Sequence, residues 1–121
     1  MKSLLLVIMV LSILGAGCIT QPVVGDTVEI TASGFDPNTL KVNVGETVTF
    51  VNKDSVSHWP ASGIHPTHDL YPEAGGCIGS TFDACGPLKP GESFSFTFNY
   101  KGTWTYHDHL NSGLTGTIIV E

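Results

Sequence analysis

Apolar and polar residues alternate in short runs along most of this chain. Thr27-Val28-Glu29-Ile30-Thr31-Ala32 alternates, and so do Leu40-Lys41-Val42-Asn43-Val44 and Thr47-Val48-Thr49-Phe50-Val51-Asn52. Ser93-Phe94-Ser95-Phe96-Thr97-Phe98 alternates strictly and sets three phenylalanines on one face. Gly102-Thr103-Trp104-Thr105-Tyr106-His107 resumes the pattern after a Tyr100-Lys101-Gly102 turn, and Gly45-Glu46 marks another turn. Successive side chains of a strand point to opposite faces, so each run predicts a strand with one buried face. Thr117-Ile118-Ile119-Val120 is almost wholly apolar and predicts a buried closing strand. No segment carries a helical period. Short strands separated by Gly, Pro and Asn predict an all-β sandwich or barrel over residues 27–121.

One stretch breaks the rhythm. Residues 59–90 hold no clear strand but contain three aromatics, two cysteines and two of the five histidines. A loop that long in a compact domain is usually functional or disordered, and this composition is not that of a disordered segment. It is expected to be an ordered insertion over one end of the sandwich. Cys77 and Cys85 lie within it. Outside the cytosol, where disulfides persist, they are expected to bridge and restrain the segment from Gly75 to Pro90. The competing possibility is that both thiolates bind a metal; the absence of a C-x-x-C spacing counts against it.

The N-terminus changes the setting. Met1-Lys2-Ser3 precedes an apolar run of about 11 residues, Leu4–Leu14, and then Gly15-Ala16-Gly17-Cys18. Such a run is too short for a hydrocarbon core about 30 Å thick and reads as an export signal over residues 1–18. Small residues before Cys18 resemble a lipobox, which implies cleavage there and lipidation of the Cys18 thiol. Residues 19–26 would then tether the domain to the outer face of the cell membrane, or the product would be periplasmic or extracellular. Net charge is −6 and only 13% of residues are charged. No basic cluster exists, so nucleic acid is not expected as a partner. The acidity itself needs no reading beyond solubility.

Histidines carry the candidate chemistry. They stand at 58, 65, 68, 107 and 109. In His107-Asp108-His109 the two imidazoles share one face of a strand and Asp108 points away. Taken alone, that pair is equally a surface feature of a strand end. His58, at the end of the strand starting at Thr47, can reach the same pole. His65 and His68 follow across Pro66, and Glu73 could add a carboxylate. Nitrogen ligation of this kind suits Cu(II) or zinc, whereas a blue copper site needs sulfur. The only methionines, Met1 and Met9, leave with the signal. No Gly-x-Ser-x-Gly, no free Cys paired with a His and no carboxylate pair supports a hydrolase, so an enzyme is not the favoured expectation.

Gly34-Phe35-Asp36-Pro37, then Leu40-x-Val42-x-Val44-Gly45-x-x-Val48-x-Phe50-x-Asn52-x-Asp54 and His58, resembles the first half of cupredoxins, the plastocyanin and azurin family. Gly102–His107 and Gly113-Leu114-Thr115-Gly116-Thr117-Ile118-Ile119-Val120 resemble the second half. The resemblance implies a Greek-key β-sandwich, here with a long disulfide-restrained insertion, and a copper site at one pole. Blue members carry Cys, His and Met before the last strand; a gapless match from Gly116 puts Asp108, Asn111 and Leu114 there instead. His58 alone retains a family ligand. Tyr106-His107-Asp108-His109 resembles the Tyr-His-x-His of multicopper oxidase domains, and His58-Trp59 resembles the start of their His-Trp-His, with Pro60 in place of the second His.

Together these expectations define a mononuclear, type 2-like copper site. His58 and His109 lead as ligands, His107 follows, and His65 or His68 completes the set. Trp59, Tyr71 and Tyr106 would wall it. The expected function is copper binding or delivery outside the cell, with a copper-transfer or redox protein as partner. Electron transfer by an atypical cupredoxin and redox catalysis on a small molecule are the alternatives.

Overall fold

The computed structural model describes residues 23–121. The expected export signal over residues 1–18 and the expected lipidation at Cys18 therefore lie outside the described residues. Nine strands occur, with no helix among the described residues: β1 Val23–Val24, β2 Thr27–Thr31, β3 Gly34–Asp36, β4 Thr39–Val42, β5 Thr47–Asn52, β6 Pro60–Ser62, β7 Ser93–Thr97, β8 Gly102–Asp108 and β9 Asn111–Val120. They form a five-stranded sheet in the order β1-β4-β9-β8-β6 and a four-stranded sheet in the order β3-β2-β5-β7. Consecutive β4 and β5 lie in different sheets, and β2/β5 and β4/β9 pair in parallel. The chain thus crosses repeatedly between layers, as a Greek-key sandwich requires.

Alternation translates directly into burial. On β5, Val48, Phe50 and Asn52 are buried while Thr47 and Thr49 face out, hydrogen-bonded to Thr97 and Ser95 of β7 at 2.7 and 2.9 Å. Phe50, Phe82 and Tyr106 meet at ring distances of 5.3–5.8 Å in the centre of the core, with Val28, Ile30 and Ile118 around them. Each fully buried side chain of this size contributes roughly 2–3 kcal/mol. Gly116 is required where it stands: a side-chain carbon there would overlap the Tyr106 ring.

Three expectations need revision. β1 falls inside the stretch expected to be a tether, because Val23 and Val24 pair with Leu40 and Lys41. The strand from Thr47 stops at Asn52 and does not run to His58. The Asn52 side chain accepts from Asp54 N at 2.9 Å and donates to the Val56 and Leu88 carbonyls at 2.8 Å each, which turns the backbone out of the sheet. The long insertion is not strandless either. Pro60–Ser62 pairs with β8, and His58↔Leu88 and Ala61↔Asp83 form isolated bridges. Cys77 and Cys85 are disulfide-bonded. Closing so short a loop restricts the unfolded chain by about 2–3 kcal/mol.

Candidate metal centre

The β8 strand decides where its histidines go. Trp104 and Tyr106 face the core, so by alternation Thr105 and His107 project from the outer face. Register at His107/Asp108 is broken by a bulge, and β8 ends there. Asp108 continues inward and is 1% exposed. His109 follows on the outer side, its backbone N–H donating to Trp59 O at 2.7 Å.

The insertion folds down over this outer face. Gly63 N bonds Thr105 O at 2.9 Å, and Ser62 N bonds Phe82 O at 2.8 Å. Between these anchors runs a loop closed by His68 N to Ile64 O at 2.8 Å and Leu70 N to Gly63 O at 2.7 Å. That loop delivers His65 and His68. The described residues thereby bring His65, His68, His107 and His109 together, one nitrogen of each lying within 4.8 Å of the others. His68 Nε2 is 3.0 Å from His109 Nδ1, and His65 Nδ1 is 3.3 Å from His107 Nε2. His68 and His107 are buried, His109 is half-buried and His65 is exposed at the rim. A groove of about 410 Å³ opens beside His65 and His107, with Thr105, Ser112 and Thr115 on its walls.

Behind His68 stands a carboxylate that sequence inspection missed. Asp83 Oδ2 accepts from His68 Nδ1 at 2.7 Å, and neither side chain is exposed. Asp83 Oδ1 accepts from Trp59 Nε1 at 2.6 Å and Cys85 N at 2.8 Å. Occupying Nδ1 fixes the tautomer and leaves Nε2 to face the cluster, the usual arrangement behind a metal-ligating histidine. Nothing in Phe82-Asp83-Ala84-Cys85 marks that acid beforehand. It lies 15 residues from His68 and reaches it only because Ala61 bridges to Asp83 across the β6 edge.

Electrostatics disfavour charge on two of the rings, His107 and His109. Burial, and then the neighbouring His68, His65 and His109, push His107 down to about 4. His109 is lowered by burial and then by His68 and His65. Burial and neighbouring imidazoles disfavour the charged form of these two rings, which keeps their lone pairs available. Four imidazole nitrogens converging on one region fit a divalent ion of the Cu(II) or zinc type.

His58 is a correction. It is absent from the cluster, and both its nitrogens are occupied: Nδ1 meets Asp108 Oδ2 at 2.6 Å and Nε2 meets Asp54 Oδ2 at 2.8 Å. Burial opposes charging of this ring, but the hydrogen bonds from Asp108 and Asp54 outweigh it and raise its pKa. An imidazole sandwiched between carboxylates has no free lone pair for a metal. Glu73 also stands apart, accepting from Thr81 Oγ1 at 2.7 Å. Of the expected wall residues, the Trp59 ring lies 4.5 Å from that of His109. Tyr71 and Tyr106 sit in the aromatic core instead: alternation along β8 turns Tyr106 to the inner face, and Tyr71, outside any strand, packs edge-on against Phe82 at 6.0 Å.

Comparison with known proteins follows the same direction. A model of the copper binding proteins of the plastocyanin/azurin family matches residues 23–121. A plastocyanin from Scenedesmus fuscus is 32% identical over 89 residues, 72% of this chain and 86% of that protein. An amicyanin from Paracoccus denitrificans is 28% identical over 95 residues; the match spans 78% of this chain but only 63% of the amicyanin. A purple cupredoxin from Nitrosopumilus maritimus shares the fold, with a TM-score of 0.65 at 24% identity over 80% of this chain and 100% of that one.

Proposed function

This chain belongs to the plastocyanin/azurin family of copper-binding proteins, and from that premise we propose that it holds Cu(II) in a type 2-like site made by His65, His68, His107 and His109. One observation carries the proposal: four imidazole nitrogens from two separate segments lie within 4.8 Å of one another. Copper, when bound, supplies a cation able to change oxidation state. The chain's own groups do the rest. Asp83 holds His68 in one tautomer, Trp59 packs on His109 and accepts its backbone N–H, and β8 presents His107. Sulfur is missing from the cluster, which argues against a thiolate-type blue centre.

His107 comes from the end of β8 and His109 from the turn after it, the other two from a loop, and His65 is exposed. A site closed by a loop with an open rim suits capture and release, so copper binding and delivery is the function favoured over electron transfer. The Cys77–Cys85 disulfide fits an exported chain. Export through residues 1–18 and anchoring through Cys18 complete the proposal, with a copper-transfer or redox protein as partner.

The test is Cu(II) titration of the purified protein, read by electron paramagnetic resonance and visible absorption. One ion per chain with nitrogen couplings and a weak absorption is expected, lost in His107→Ala/His109→Ala. An intense blue or purple band would require a thiolate ligand and would overturn the assignment.

A further inference from the structure

A second group of ligating atoms sits beside the first. The sulfurs of Cys77 and Cys85 and a carboxylate oxygen of Asp83 lie within 4.8 Å of one another. In the oxidised chain the sulfurs are bonded to each other and offer no thiolate. Both cysteines are nevertheless exposed, while Asp83 is buried beneath them. A reductant can therefore reach the bridge without unfolding the sandwich. Asp83 joins the two groups, because the carboxylate that accepts from Cys85 N at 2.8 Å also orients His68.

We propose that the Cys77–Cys85 bridge is a latent second metal site: once reduced, its two thiolates take a soft monovalent ion, Cu(I), next to the histidine cluster. Opening the bridge breaks one S–S bond and consumes two electrons and two protons. A dithiol of the thiol–disulfide oxidoreductase class supplies them and becomes a disulfide itself. Cu(I) then displaces both thiol protons. Thiolates select Cu(I), whereas imidazoles suit Cu(II), so adjacent sites serve the two oxidation states of one element. The negative charge of Asp83 disfavours two bare thiolates and favours them with a cation between them. Local backbone freedom permits the sulfurs to separate. That freedom lies on the Cys85 side, where Gly86 meets no neighbouring group, whereas Gly76 beside Cys77 is packed against the Ser80 backbone. This site does not depend on copper occupying the histidines.

Cu(I) binding in competition with bicinchoninate tests it in two arms. Ascorbate keeps copper reduced and leaves the bridge intact. A phosphine opens the bridge, with water as the source of the phosphine-oxide oxygen and the thiol protons. The phosphine arm should show two titratable thiols and one Cu(I) per chain more than the ascorbate arm. That extra ion should vanish in Cys77→Ser/Cys85→Ser and persist in His107→Ala/His109→Ala. Equal copper counts in both arms with two thiols titrated would overturn the proposal. So would thiols that appear only after denaturation, or a phosphine-treated chain that loses its β-sheet circular dichroism. Failure of the four-histidine assignment would look different: the oxidised protein would bind no Cu(II), and the phosphine-dependent ion would remain.

Discussion

His58 and the four-histidine cluster lie on opposite faces of the same strand end and have opposite chemistry. His58 is 4% exposed and gives both nitrogens to carboxylates, Asp54 and Asp108. His107, also 4% exposed, turns its Nε2 toward another imidazole. Burial is the same; the partners differ. A ring between two carboxylates is driven to hold its proton, and a ring among other rings is driven to lose it. Proximity to a metal-binding motif in sequence is therefore a weaker guide than the question of which lone pairs remain free after folding.

Removing ligands should break the contrast most severely. His107→Ala/His109→Ala is expected to lower Cu(II) affinity by well over 100-fold, more than an outer-shell change costs; competition titration would measure it. Affinity as high as the wild type would move the metal elsewhere. Asp83→Asn should weaken binding by roughly 10–100-fold, since His68 loses the acceptor that fixes its tautomer. Circular dichroism should show the fold retained, and unchanged affinity would leave Asp83 only a structural role.

pH separates the two regions by sign. In the metal-free protein His107 stays neutral down to about 4, and His109 is also lowered, whereas in the unfolded chain both charge below about 6.5. The unfolded chain then binds more protons, so stability should fall as pH drops from about 6.5 toward 4, by about 2 kcal/mol. His58 works the other way. Its pKa is raised, so its contribution is complete below about 6.5 and is lost as pH rises through the folded value. Denaturant unfolding across this range should show His107→Gln flattening the acid limb and His58→Gln flattening the alkaline one. Identical profiles for both variants would erase the distinction.

His58→Ala sharpens the comparison further. It should cost about 1–3 kcal/mol, because the buried Asp108 loses the partner of its Oδ2 and keeps only the Trp59 and Leu110 N–H groups on Oδ1. Cu(II) affinity should change far less than in the ligand variants. A loss as deep as theirs would return His58 to the site. Tyr106→Phe is the smallest change expected. Tyr106 Oη is buried without a hydrogen-bond partner, so deleting it should shift stability by no more than about 1 kcal/mol, in the stabilising direction.

Much of the scaffold was legible in advance. The alternating runs Thr47–Asn52, Ser93–Phe98 and Gly102–His107 were expected as strands and form them to within a residue at their ends, although Tyr106, expected at the wall of the site, lies in the core. The disulfide followed from two cysteines in a Gly-rich insertion. The ligand set was legible only as a list of histidines, because five rings in one half of the chain do not say which nitrogens meet. His58 was misplaced because Asn52, by ending β5, redirects the residues that follow it. Asp83 was invisible because its importance arises from a contact across 15 residues.

The amino-acid order alone determined what is local: period-two burial, turn positions, the sulfur-free histidine set and the shared outer face of His107 and His109. Tertiary structure decided what is non-local. It folded the insertion onto the outside of β8, aimed His65 and His68 at that strand, put Asp83 behind them, and gave the His58 nitrogens to Asp54 and Asp108. Strand periodicity is a property of neighbouring residues, whereas ligand geometry depends on segments whose spacing is fixed only when the sheets close and every buried polar group has found its partner.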